Sequence, residues 1–507
     1  MKSNLSLHPS ASMILGVFLL FTLFLVGMPS ADAQTPEARI RAEGLQHSQV
    51  MEIASQITDR VGPRLTNSPG IRAAQARALA DLKSWGVTGR LEEWSGFGRG
   101  WELTGLTAEQ LSPAYSPLIA CAKAWSPGTR GTVEGEPLYF DAADETAVQS
   151  YRGKLAGRIV LLAPPREFPF LTGPVRWSDD ALRQLVVGPQ PPPFQPTPAQ
   201  RAAGAMSRAK WKLLFDEHPA LVVEPGSGEG GTVYVTSARA AEGKDPWAVD
   251  AGYLPPQLVM AAEQYNRLVR LVTAHQPARL RIDIETRFDV SHNPANLLAE
   301  LPGKERPEEV VMLGAPIDSW HAATGATDNA SGAAAALEAM RILATLRLPT
   351  RRTIRLVLWS GEEQGRLGSR AWVAANLGTK QKPTPANAKL VAYFNLDWGP
   401  GKIRGVYLDG RIDAAAALQP LLAPLADFGA ATITPHSIGA SDHVSFEEIG
   451  VPGFAFVRDF METSGGPNHT NMDVYDRLLP ADLQQAAVVT ATLVYELAQQ
   501  TQPFPRN

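Results

Sequence analysis

What most constrains this chain is a run of apolar strands alternating with helices from Asn293 onward, with acidic residues just beyond the strands. Val310-Val311-Met312-Leu313-Gly314 and residues 352–360, 390–396 and 452–457 read as strands; residues 331–346, 369–376 and 481–499 read as helices. This alternation predicts an α/β fold, a mixed, mostly parallel sheet flanked by helices. Ligands of such a sheet gather beyond the carboxyl ends of its strands.

Upstream the texture differs. Residues 37–57 and 70–85 have apolar spacing close to 3.6 and predict two helices, the second capped by Ser68 with Pro69 in its first turn. Between about residues 117 and 255, short apolar runs bounded by Gly and Pro (131–140, 157–163, 220–223 and 232–235) predict a β-rich insert. Residues 189–198 are proline-rich and predict an exposed loop. The division expected is 34–116 and 256–507 for the α/β domain, with 117–255 inserted.

A chain of 507 residues, 44% hydrophobic and 19% charged with a net charge of −4, reads as globular, with two or three domains expected. That near-neutral balance argues against nucleic acid or an anionic membrane as the main partner, since either would need a basic face. Residues 1–33 read as a signal peptide: Lys2, an apolar run over 14–26, then Ala31-Asp32-Ala33 before a cut at Gln34. No cysteine lies near the cut to carry lipid, so the expectation is a secreted or periplasmic chain with no stable membrane anchor after cleavage. Cys121 is alone and forms no intramolecular disulfide.

The chemistry-bearing residues follow the strands in order: Asp318-Ser319-Trp320-His321, then Thr327-Asp328-Asn329, Gly361-Glu362-Glu363, Asn395-Leu396-Asp397 and finally Asn468-His469-Thr470-Asn471-Met472-Asp473. Alone, Asp328 reads as a helix cap and Glu362-Glu363 as a solvated loop. Together, carboxylates gathered with a histidine at one sheet edge repel one another unless a cation lies among them. Imidazole with carboxylates suits zinc, although other divalent ions accept the same donors.

These motifs, with Asn296-Leu297-Leu298-Ala299-Glu300-Leu301-Pro302-Gly303 ahead of them, resemble the co-catalytic zinc exopeptidases, which include bacterial aminopeptidases, carboxypeptidase Q and glutamate carboxypeptidase. The insert is similar to the protease-associated domain of that family. The resemblance implies that Asp328 bridges two zinc ions through a segment with a cis peptide to Asn329. It implies that Glu363 and His469 complete one ion's shell, that Asp397 binds the other, and that Glu362 is the general base. The implied substrate is a short peptide cleaved at one end, and a homodimer is compatible with the family.

One position departs from the pattern. The family's first ligand is a histidine two residues before Asp318, and here that residue is Pro316, which has no donor atom. Asp318 loses the histidine it would orient. One ion or two can then be bound: a single zinc on Asp328, Glu363 and His469, or two with His321 as a substitute ligand. The alternative is a catalytically inactive, receptor-like binding protein. Another acyl hydrolase or a glutaminyl cyclase-like transferase is a third class.

Overall fold

The computed structural model describes residues 35–167, 176–459 and 466–506; the expected signal segment 1–33 lies outside them. None of the described helices is long and apolar enough to cross a membrane.

An eight-stranded mixed sheet organises the fold. Its strands, edge to edge, are Thr88–Glu93, Ala295–Leu301, Arg352–Trp359, Arg306–Pro316, Leu390–Asn395, Gly453–Arg458, Ile403–Tyr407 and Thr432–Thr434. Arg306–Pro316 lies between Arg352–Trp359 and Leu390–Asn395, parallel to both, and Gly453–Arg458 extends the parallel block. The pleat sends alternate side chains to opposite layers. Val311, Leu313 and Ala315 face one apolar layer, whereas Val310 and Met312 join Trp359, Trp372 and Phe446 in the other.

The first layer packs the sheet against Ser331–Leu346 and Pro480–Gln499. Ser331–Leu346 is buried on every side through its first thirteen residues, which explains its alanines: small side chains let sheet and helix approach from all directions. Its two charged residues pair with each other, Arg341 Nε donating to Glu338 at 2.7 Å. They also break the helix expected over 37–57. Glu338 accepts from the backbone of Gln49 and Arg341 donates to the carbonyl of His47, so the chain forms Pro36–Gln46 and Val50–Ser55 instead.

Two smaller sheets form the β-rich part. One contains Gly100–Ser112, Ser116–Pro117, Arg279–Asp289 and Val133–Gly135; the other contains Ala120–Ala122, Gln257–Met260, Leu221–Pro225, Ile159–Leu161 and Pro137–Tyr139. The single strand expected over 131–140 therefore divides at Glu136 between the two sheets. The proline-rich loop is exposed as expected, and Thr197 and Gln200 then close a capping box on the helix Pro198–Glu217. The run 232–235 is not a regular strand: Tyr234 forms one antiparallel bridge to Thr470 and so docks on the segment carrying His469.

Candidate metal centre

Because three neighbouring strands are parallel, Asp318, Glu362–Glu363 and Asp397 leave the sheet at the same edge. Asp328 arrives just before Ser331–Leu346, and its peptide to Asn329 is cis. Asn329 donates from Nδ2 to the carbonyls of Leu396 and Pro316, tying that turn to two strand ends. Asp473 accepts the backbone N–H groups of Thr327 and Asp328, at 2.6 and 3.2 Å.

Three donors converge. His469 Nε2 lies 2.9 Å from Asp328 Oδ2 and 3.2 Å from Glu363 Oε2. All three atoms fall within 4.8 Å of one another. Burial alone would lower the His469 pKa, but Glu363 and Asp328 beside it hold it up at about 12. Burial lifts Glu363 to about 8, with Asp328 adding repulsion. Such a pocket binds positive charge, whether a proton or a metal ion. One imidazole and two carboxylates suit a first-row divalent ion with a solvent position left open.

Asp397 stands outside this trio. Its Oδ1 accepts the N–H of Trp398 at 2.8 Å and its Oδ2 accepts the hydroxyl of Ser441. A chain of donors fixes it there: Trp359 Nε1 to Tyr393, Tyr393 to Asn395, and Asn395 Nδ2 to Ser441. Burial, then the charge of Asp328, raises Asp397 to about 6. Pro316 faces Trp359 in the sheet register and offers no side-chain donor. The residues present therefore fit one ion well; a second would have only Asp397 and a share of Asp328.

Asp318 is fully buried. It accepts the hydroxyl of Thr66 at 2.9 Å and the N–H groups of Glu362 and Glu363 at 3.4 and 3.3 Å. It thus orients the two-glutamate turn rather than a histidine, and burial raises it to about 6. Glu362 is raised well above the usual carboxylate range by burial and by the charges of Asp397, Asp442, Glu363 and Asp318. His321 does not approach the trio. Its Nε2 is 2.7 Å from the carbonyl of Ala122, its ring meets Trp101 edge-on at 4.9 Å, and burial lowers it to about 4.

Other residues surround the trio, and of these Val233 and Tyr234 lie outside the quoted donor motifs. Tyr234, from the β-rich part, places its hydroxyl 3.1 Å from His469 Nδ1. Val233 and Asn471 exchange hydrogen bonds beside it. Asn468 donates to Asp328 at 2.9 Å. Trp320 packs 5.8 Å from the His469 ring. Asp473 lies within the quoted histidine motif, and its carboxylate at a turn was the available signal.

Residues 296–494 match peptidase family M28. Carboxypeptidase Q of Pongo abelii is 30% identical over 237 residues, 45% of this chain and 47% of that protein, so this alignment spans about half the relative's length. Carboxypeptidase Q of Mus musculus is 26% identical over 462 residues, 89% of this chain and 86% of that protein. The solved structure of a peptidase M28 precursor from Shewanella amazonensis SB2B shares the fold, with a TM-score of 0.67 at 21% identity over 93% of this chain and 98% of that one. The M28 match thus takes in the segments that carry Asp318, Asp328, Glu362–Glu363, Asp397 and His469, and this part of the chain is similar to that peptidase family.

Proposed function

We propose that this protein is an exported zinc-dependent exopeptidase, of the carboxypeptidase Q or aminopeptidase kind, hydrolysing terminal peptide bonds of short peptides. The convergence of Asp328, Glu363 and His469 beside Glu362 carries this reading. Asp328, Glu363 and His469 would hold one zinc ion, Asp397 contributing weakly to a second because Pro316 replaces a ligand. When bound, zinc supplies Lewis-acid chemistry, polarising an amide carbonyl and making water easier to deprotonate. Glu362 accepts the proton of the attacking water on its carboxylate and passes it to the leaving amine. Its raised proton affinity suits a group that must take and return a proton near neutrality. Asp318 holds the backbone of Glu362 and Glu363, so the base and the ligand keep a fixed relation. The β-rich part, expected over 117–255 and with sheets that also take in Gly100–Ser112, Gln257–Met260 and Arg279–Asp289, would form the protease-associated insert, and residues 1–33 a cleaved signal.

Hydrolysis of a panel of free and end-blocked dipeptides and tripeptides, with and without zinc, tests the reading. Turnover that disappears on chelation, and falls roughly 100-fold or more in Glu362→Gln, supports it. Absence of both zinc binding and turnover supports the receptor-like alternative, which Pro316 alone favours.

A further inference from the structure

A second group of donors lies behind the catalytic edge. Asp409 follows the strand Ile403–Tyr407, while His443 and Glu447 are the ends of the short helix His443–Glu447. Four residues apart, His443 and Glu447 share a helix face. One donor atom from each of the three lies within 4.8 Å of the other two. His443 Nε2 is 3.5 Å from Asp409 Oδ2, close to the ligand-to-ligand separation of about 3.4 Å in a tetrahedral site with bonds near 2.05 Å.

The polar atoms here are unmet. His443 is completely buried, and neither ring nitrogen has a hydrogen-bond partner among the described residues. Asp409 Oδ2 and Glu447 Oε1 are likewise buried and unpartnered. Buried polar groups in folded proteins are normally satisfied, so three aimed at one point call for something between them. The other oxygen of Asp409 is occupied by Ser437 and the N–H of Ile438, which fixes the direction of Oδ2.

Nearby cations do not fill the gap. Arg411 feels Asp409 and Glu447 electrostatically but donates to the carbonyl of Val451, and Arg366 near His443 pairs with Glu448 at 3.2 Å. Burial keeps the imidazole of His443 neutral, the form in which histidine binds metal.

We propose that Asp409, His443 and Glu447 form a second divalent-cation site, of zinc-type chemistry, distinct from the Asp328, Glu363 and His469 centre. One neutral imidazole and two carboxylates balance a dipositive ion. The ion would have a structural role: Ser441 and Asp442 immediately precede His443, and Ser441 holds Asp397 while Asp442 bears on Glu362. A cation here fastens that segment. The inference does not rest on the catalytic reading, since none of its three ligands belongs to the first trio.

The test is the zinc content of the full chain by elemental analysis, after equilibration with zinc and removal of the excess. The His469→Ala variant, crippled at the first centre, is expected to keep one equivalent. Adding Glu447→Gln or Asp409→Asn, both close in shape to the native side chains, is expected to remove it. Each substitution made alone in the parent chain is expected to lower its content by one equivalent. Unchanged zinc in both single variants overturns the proposal, as does complete loss of zinc in His469→Ala with its circular dichroism preserved. Failure of the catalytic reading gives a different pattern: His469→Ala then matches the parent, while Glu447→Gln still loses its equivalent. A zinc-edge anomalous peak among the three side chains of the unaltered protein is the expected result that requires no variant to fold; its absence from zinc-equilibrated crystals also overturns the proposal.

Discussion

The hydroxyl of Tyr234 lies 3.1 Å from Nδ1 of His469, joining the β-rich part of the chain to the imidazole that faces Asp328 and Glu363 from its other nitrogen. A hydrogen bond at one ring nitrogen selects the tautomer and aims the other. The two residues are 235 positions apart, and the bridge between Tyr234 and Thr470 holds them in register.

Tyr234→Phe keeps the ring and removes only the hydroxyl. Zinc affinity of the trio should fall by about 10-fold, the lower end for loss of such a partner. Competition with a chromophoric chelator measures it. Unchanged affinity would mean that the Trp320 contact and backbone bridge suffice to orient the histidine.

Asp318→Ala should destabilise the fold by roughly 2–4 kcal/mol, because the hydroxyl of Thr66 and two backbone N–H groups lose a buried acceptor. Urea unfolding of zinc-free protein reads this without interference from metal. A change below about 0.5 kcal/mol would show that water replaces the carboxylate at no cost.

Pro316→His supplies a donor at a strand end that offers none. Zinc content should rise by one equivalent over the parent, with Asp397 and Asp328 completing the new shell. Elemental analysis decides; no gain would mean that Ser441 and Trp398 keep Asp397 from turning toward a metal.

Zinc should stabilise the protein more as pH rises. Burial, with like charges beside them, raises Glu363 to about 8 and Asp397 to about 6; Asp473, also buried, is raised to about 7. Each then binds its proton more tightly folded than unfolded, so zinc-free stability is lost as pH climbs through these values. Zinc takes the place of the proton on Glu363, the member of this set that lies in the trio. The gain in Tm on adding zinc should therefore be larger at about pH 8 than at about pH 5.5. An equal gain at both would contradict carboxylate ligation.

Much of the architecture is legible from local pattern. The helix Ser331–Leu346 and the central parallel strands follow from apolar runs, and their parallel order alone brings Asp318, Glu362–Glu363 and Asp397 to one edge. What pattern does not carry is contact between distant segments. The break at residues 47–49 depends on Glu338 and Arg341, and the docking of Tyr234 depends on Thr470. His321 sits in the right motif but turns to Trp101 and Ala122, a choice made by burial. The long strand Arg279–Asp289 did carry a signal, with Leu280, Ile282 and Ile284 buried and alternating with charged residues.

The central claim is that Asp328, Glu363 and His469 enclose a zinc ion while Asp397 stays with Ser441. An anomalous difference map collected across the zinc absorption edge, from crystals equilibrated with zinc, tests this most directly. The account predicts a peak about 2.0–2.2 Å from Asp328 Oδ2, Glu363 Oε2 and His469 Nε2, and none of comparable height between Asp397 and Pro316. A map with no peak at the trio, or with its full strength beside Asp397, would contradict it.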